Sequence, residues 1–580
     1  MIGRSATVSP HDTPRAPRPN VSASARLLRL TPWLVATILL VPVLAGLAGT
    51  IAPAFHLTDP DGPSLAAFRD LARWPGLSAA AGLSLLTGLV STAVALTLTI
   101  LITAALHQHP VFAVLRQTLA PLLALPHAAA ALGLAFLIAP SGWLARALSP
   151  WATGWTEPPD LLILNDPFGL ALTFGLIAKE LPFLLLVMLA ALSQTDTTRR
   201  MQLARTMGYG DIAGFCLVVM PALYRPLRLP VLAVLSYAMT TVDMGLVLGP
   251  TRPPPLAVQI TLWMTEPNLT ATARAAAAAV LQLALTLTAL ALWRGVEVAM
   301  RHLATSLTLR GLRLRRLDHL RPLIRLALLG MTLTPLAAIA ALALWSVAGL
   351  WPFPGAWPET LTLTHWTRAA ATLTDLSLTT LAIASLATAL AFALTLCLLQ
   401  AEFLFALPPL PPALLYLPLI LPQVCFLPGL EHLALRTGAV GGFTSVTLAH
   451  LIFVLPYVYL TSAGPFRAWD RRNATLAATL GASQAKVFWR LRLPMLLAPL
   501  AVALAIGLAV SIGQYLPTLL VGGGRVSTLT TEALALASGG NRRLTSTYAM
   551  LQTFWPMLGF ALALGLPPLL KKARFARGRT

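Results

Sequence analysis

Long apolar runs, separated by short polar stretches rich in Arg, Pro and Gly, set the pattern of this chain. A hydrocarbon layer about 30 Å thick is crossed by roughly 20 helical residues. Runs of that length lie near 32–52, 79–105, 118–138, 168–192, 227–248 and 275–296, and again near 326–350, 376–399, 410–430, 442–462, 500–520 and 548–570. The pattern predicts an all-α, polytopic membrane protein with about 12 transmembrane helices.

Two polar interruptions are related. Residues 202–226 read QLARTMGYGDIAGFCLVVMPALYRP, and residues 475–499 read TLAATLGASQAKVFWRLRLPMLLAP. Gly208 and Gly481 stand 273 residues apart, as do Pro221 and Pro494, and Pro226 and Pro499. Ser84, Thr87 and Thr92 return 293 residues later as Ser377, Thr380 and Ser385, so an insertion separates the early and late parts of the repeat. Pro182 and Pro456 are 274 apart, one residue out of register. Repetition over this distance predicts two six-helix repeats, which an even span number makes parallel rather than inverted. The expected organisation is a disordered basic tail (1–30), a first half (31–300), a basic linker (301–325), a second half (326–570) and a basic tail (571–580).

Composition fits a membrane chain. Of 580 residues 57% are hydrophobic and 11% charged, against about 25% charged in a soluble domain. The net charge of +21 would suggest nucleic acid in a soluble protein. Here the basic residues sit between apolar runs, where they orient the chain and meet anionic lipid, so no nucleic-acid partner is expected. The positive-inside rule places both termini, the linker and both polar interruptions in the cytoplasm. Cys216, Cys397 and Cys425 are too scattered for a disulfide framework or a metal site. No phosphate-binding Gly-rich loop with Lys is present, so the chain is not expected to hydrolyse ATP, and neither metal nor cofactor is expected.

A short cytoplasmic helix, a Gly and a proline closure, between the fourth and fifth spans of each half, resembles the EAA loop of ABC-type importer permeases. Gly208 with Met220-Pro221, and Gly481 with Leu493-Pro494, match its glycine and its closure. Gln202, Leu203 and Ala204, and Thr475, Leu476 and Ala477, occupy its opening positions; the acidic residue of the motif is absent from both copies. The duplicated chain is similar to the fused permeases of the iron(III) and thiamine importer class. The run 513–541 (GQYLPTLLVGGGRVSTLTTEALALASGGN) carries that likeness most specifically, and VDMGLVLGPTRPPPLAV at 242–258 supports it. The resemblance implies a bacterial inner-membrane subunit whose two EAA-type helices seat in a cytoplasmic ABC ATPase dimer. It also implies a periplasmic or extracellular solute-binding protein as partner, and alternating access as the transport mode. The bland alternative for the loops is an ordinary basic cytoplasmic segment, which the doubled Gly-to-Pro spacing disfavours.

Polar residues inside apolar runs are costly and mark a pathway or a structural lock. Lys179, Glu180 and Asp243 are the ionisable intruders, with Lys179 a counter-ion for either acid. Ser236, Thr240 and Thr241, with Ser511, Gln514 and Tyr515 in the matching span, are pathway candidates; such hydroxyls equally bond their own backbone. The alternative function is an ion-coupled secondary transporter with parallel six-helix halves. The doubled loop and the lack of paired acids at matching positions argue against it. The residues do not choose a substrate.

Overall fold

The computed structural model describes residues 26–57, 62–109, 122, 124–436, 438 and 441–577. Most of the expected N-terminal tail, residues 118–121 and 123 of the third expected span and the last three residues lie outside them. Among the described residues ten helices are long and apolar enough to cross a bilayer, and two bent pairs raise the number to up to 12. The only β feature there is a single bridge between Ala348 and Leu361.

The first copy of the repeat comprises α1 (Thr31–Ala54), α2 (Ala66–Arg73), α3 (Leu77–Leu106), α4 (His127–Ile138), α5 (Trp143–Leu148) and α6 (Leu170–Leu192). The polar α7 (Thr197–Thr206) follows, then α8 (Met220–Thr240), α9 (Asp243–Leu248), α10 (Leu256–Thr265) and α11 (Leu269–Leu309). The second copy runs α12 (Arg321–Val347), α13 (Thr364–Phe405), α14 (Pro412–Ile420), α15 (Gln423–Arg436) and α16 (Phe443–Ala468). It ends with α17 (Arg471–Thr479), α18 (Leu497–Ile512), α19 (Leu529–Ala537) and α20 (Arg542–Arg577). The long helices carry apolar residues all round, as a helix facing both lipid and protein must.

The opening span of each copy packs on the other copy. α1 lies against α15, where a Cβ on Gly49 would sit 2.6 Å from the carbonyl oxygen of Gly429 and one on Gly46 would strike that of Phe426. α12 lies against α4, where a Cβ on Gly133 would sit 2.6 Å from the carbonyl of Ala338. Gly133 and Phe426 are 293 residues apart, so the repeat relates the two crossings. Lipid tails are as apolar as the helices, so association there depends on close packing, which small residues permit. Around these crossings Val43, Phe426 and Phe453 share one buried cluster, and Leu132, Trp345 and Leu529 another.

The repeated hydroxyls have a structural use. Ser84 on α3 accepts the backbone N–H of Leu256 at 3.0 Å, and Thr380 on α13 accepts that of Leu529 at 3.0 Å. Leu256 and Leu529 open α10 and α19, which are 273 residues apart. First-turn N–H groups have no partner inside their own helix, so a hydroxyl from a neighbouring span supplies one.

Three expected continuous spans are interrupted. The span near 227–248 breaks at Thr241, whose backbone is extended with ψ 125°, and resumes as α9. The span near 500–520 breaks between Gly513 and Tyr515. Thr241 and Gln514 are 273 apart, so the two breaks are related positions. The span near 410–430 bends by 85° between α14 and α15, because Pro422 disfavours a helical conformation at Leu421, which is extended.

Candidate functional site

Each polar interruption folds into a lever of the same construction. Asp196 caps α7 by accepting from Arg199 N–H at 3.3 Å, and Asp470 caps α17 by accepting from Arg472 N–H at 2.9 Å. Gly208 and Gly481 end these helices in the left-handed region, at φ 81° and 76°, where a side chain is disfavoured. α7 has 10 residues and α17 has 9, which places the one-residue register slip inside the second lever. Beyond each glycine a short helical turn leads into a widened helical segment, Phe215–Val219 or Phe488–Arg492. Pro221 and Pro494 follow directly. A proline has no N–H to give the preceding turn, and a widened turn before it absorbs the mismatch.

Gln202, Leu203, Thr475 and Leu476 are exposed, whereas Ala204 is buried and Ala477 half-buried. Leu203 and Met207 keep 54% and 55% of their surface, Leu476 and Leu480 63% and 80%. Both pairs are four residues apart on one helix face, and each pair repeats at 273. Each lever thus presents a bare apolar stripe. Met207 and Leu480 escaped the sequence reading because the motif points to the residues before them; the i, i+4 spacing was available as a signal.

The levers are fastened differently. Asp318, in the segment between the copies, accepts the backbone N–H groups of Asp211 and Ile212 at 3.0 Å each. Arg315 donates to the Gly208 carbonyl at 2.8 Å, and Arg321 pairs with Asp211. A Cβ at Gly210 would sit 2.5 Å from the Asp318 carboxylate, so this clamp requires glycine there. In the second copy the matching residue is Ser483, whose own hydroxyl accepts from Lys486 N–H at 3.3 Å. That lever is held instead by Arg492, 2% exposed, which stacks on Phe466 with its guanidinium 3.7 Å from the ring centroid and donates to the Phe466 carbonyl. For Asp318→Ala, amide exchange at Asp211 and Ile212 is expected to accelerate at least tenfold, since a hydrogen bond to a charged group contributes about 1.5–3 kcal/mol. Unchanged protection by hydrogen-exchange mass spectrometry would show that the linker does not hold the lever.

The pathway candidates divide. Glu180 meets His127 Nε2 at 3.3 Å, and the His127 ring lies 4.6 Å from that of Tyr237. Asp243 Oδ1 accepts from Thr241 at 2.8 Å and from Tyr237 at 3.2 Å. Tyr515 and Tyr457, from the second copy, lie within electrostatic reach of Asp243 and Glu180 respectively. Glu180, Thr241, Asp243 and Tyr515 therefore gather where the two broken spans meet. Ser236 donates to the Ile420 carbonyl at 2.5 Å, across the copies, while Thr240 bonds the Ser236 carbonyl of its own helix. Ser511 bonds the buried His450 at 2.8 Å, and the Gln514 side chain has no hydrogen bond among the described residues. Lys179 makes no ion pair among them either; it lies within electrostatic reach of both Glu180 and Asp243 and lines a crevice with Gly175, Thr334 and Pro335. His127, Tyr237 and Tyr457 were missed because a lone histidine or tyrosine in an apolar run carries no spacing signal. No group of three metal-ligating side chains occurs among the described residues.

Residues 401–567 match the family model for a binding-protein-dependent transport system inner membrane component. The inner membrane ABC transporter permease protein YnjC of Escherichia coli (strain K12) is 29% identical over 539 residues, covering 91% of this chain and 94% of its own. The molybdenum transport system permease proteins ModB of Mycobacterium bovis and Mycobacterium tuberculosis are 32% identical over 124 residues, 19% of this chain and 47% of theirs. No solved structure matches. With a family domain in its second copy, similarity to a permease along nearly its whole length and helices that span a membrane repeatedly, the chain belongs to the permeases of binding-protein-dependent ABC transporters, in the inner membrane.

Proposed function

We propose that this permease moves a small solute inward by alternating access, driven by a separate cytoplasmic ABC ATPase dimer and fed by a periplasmic or extracellular solute-binding protein. Its halves are residues 31–300 and 326–570, joined by the basic linker 301–325, with both termini in the cytoplasm. The observation that carries this reading is the lever built twice: a capped helix, a glycine at positive φ and a proline-closed turn, each with an exposed apolar stripe. Two matched levers suit two ATPase subunits. When those subunits close on ATP, levers seated in them move as rigid bodies and tilt the spans they lead into.

The experiment is a docking measurement. Leu203→Asp with Leu476→Asp is expected to weaken binding of the partner ATPase at least tenfold, because each buried leucine contributes about 1.5–3 kcal/mol. The chain itself should remain monodisperse, since both side chains are exposed in its absence. Undiminished co-purification of the ATPase would refute the lever assignment.

A further inference from the structure

We propose that Arg146 and Arg542 hold the phosphate of a membrane phospholipid at the seam between the two copies, on the face opposite the levers. The inference goes beyond the permease reading and takes from it only which face is external.

Arg146 belongs to α5, in the stretch between α4 and α6 that is longer than the matching stretch between α15 and α16. It comes from the first copy, and Arg542, which opens α20, comes from the second. Both donate to one acceptor, the Ser141 carbonyl, at 3.1 Å each. Both also lie over one indole, that of Trp345, at 5.6 and 5.4 Å from the ring centroid. Arg146 is 6% exposed, yet neither arginine has a carboxylate partner among the described residues. The charges that bear on Arg146 are those of Arg542 and Arg543, both of its own sign. Arg146 Nη2, with Arg542 Nε and Nη2, has no hydrogen-bond partner there, and none of the three is sealed from its surroundings. Two guanidiniums brought together without an acid, with donors to spare, call for an anion. A phosphate accepts paired N–H groups from such forks. At the positions matching Arg542 and Arg543 the first copy has Leu269 and Thr270, so the repeated fold does not itself require the cluster.

Depth in the bilayer points to the source of the phosphate. α12 leaves Arg321, paired with Asp211 beside the first lever, and reaches Trp345 about 36 Å further along the helix. A hydrocarbon layer is about 30 Å thick, so the arginines stand at the headgroup level of the far leaflet. The segment around them agrees. Trp351 and Phe353 stack on Arg146, while Leu350, Trp357, Leu361 and Leu363 from the same segment are exposed. Tryptophan is at home at that level, and bare leucines there meet acyl chains. In the orientation proposed above this face is external, where membrane proteins carry fewer basic residues, so an uncompensated pair runs against the general trend. An acidic protein surface would have to push a carboxylate past these apolar side chains to a recessed guanidinium. A lipid phosphate arrives with apolar chains of its own.

The test is native mass spectrometry of the full chain from neutral detergent, with dioleoylphosphatidylglycerol as probe. Dioleoylglycerol supplies the same body without the phosphate, and inorganic phosphate supplies the phosphate without the body. One phosphatidylglycerol is expected to be retained at least tenfold more tightly than dioleoylglycerol, and to be weakened about tenfold in Arg146→Gln and in Arg542→Gln. Arg543→Gln removes a neighbouring charge without removing a hydrogen bond or ion pair, so it keeps the test sound if the other variants fail to fold. It should weaken retention about threefold. Arg525→Gln, an exposed arginine elsewhere on that face, should leave retention unchanged. Phosphatidylglycerol held no better than dioleoylglycerol, retention indifferent to all three cluster variants, or displacement by equimolar inorganic phosphate would each overturn the proposal. So would loss of solute-binding-protein docking in these variants with lipid retention intact. ATPase docking in the same preparations separates the two readings. Intact docking without lipid retention removes only the lipid site, and lipid retention without docking removes only the lever assignment.

Discussion

Replacing Gly208 and Gly481 together by valine is expected to abolish solute uptake while leaving the chain in the membrane. Both glycines hold φ near 80°, at 81° and 76°, and this is the corner on which each lever turns back toward its span. A left-handed conformation costs an L-residue roughly 1–2 kcal/mol, and a β-branched side chain fits it worse still. Nothing lies within 4 Å of a Cβ built on Gly481, and one on Gly208 meets only the flexible end of Arg315, at 3.0 Å. The damage is therefore conformational and local. The lever relaxes to another φ, its apolar stripe points elsewhere, and the rest of the fold has no reason to change. Because two ATPase subunits must be engaged together, uptake should fall more than tenfold in the double variant, a loss that needs only about 1.4 kcal/mol. Asparagine tolerates the left-handed region, so Gly208→Asn with Gly481→Asn should keep substantial uptake. Full uptake in the valine variant would end the lever assignment, and equal loss in both variants would remove backbone conformation as its cause.

The second large effect is on assembly. Gly429→Val is expected to destabilise the protein by at least about 3 kcal/mol, because the new side chain lands in the backbone of α1 rather than among side chains that can repack. Its Cβ would strike the Gly46 carbonyl and lie 2.5 Å from the Thr50 nitrogen. Neither group can move without parting the two helices. Gly82→Ala is the control, since nothing lies within 4 Å of a Cβ there. Thermal unfolding in detergent should show an early transition for Gly429→Val only. Identical melting curves would mean that α1 does not bear on α15 as described.

The levers were legible because their parts are local. A glycine at a left-handed corner and a closing proline act within a few residues, and their repetition 273 residues apart lifted them above chance. The spans were legible for a similar reason, since a bilayer imposes length and apolarity on each helix separately. The breaks were harder to see. Thr241 and Gln514 sit inside long, mostly apolar runs whose polar residues were read as pathway candidates rather than as breaks, and a helix there is interrupted by what its neighbours offer in exchange for lost backbone bonds. Lys179 and Glu180 show the limit plainly. They are adjacent in sequence and were read together, yet successive residues on a helix point about 100° apart, so Glu180 bonds His127 while Lys179, within electrostatic reach of both acids, bonds neither and lines a crevice.

The sequence by itself determined the solvent this chain folds in, its repeat and the shape of its two levers, because hydropathy, periodicity and turn chemistry act over one element at a time. Only the tertiary structure decided that the first span of each copy belongs against the other copy, that one lever is clamped by the linker and the other by a stacked arginine, and that Glu180 and Asp243 gather beside the two breaks. Those outcomes depend on which surfaces meet across hundreds of residues, and apolar helices in lipid carry little in their own sequence to say which neighbour they will choose.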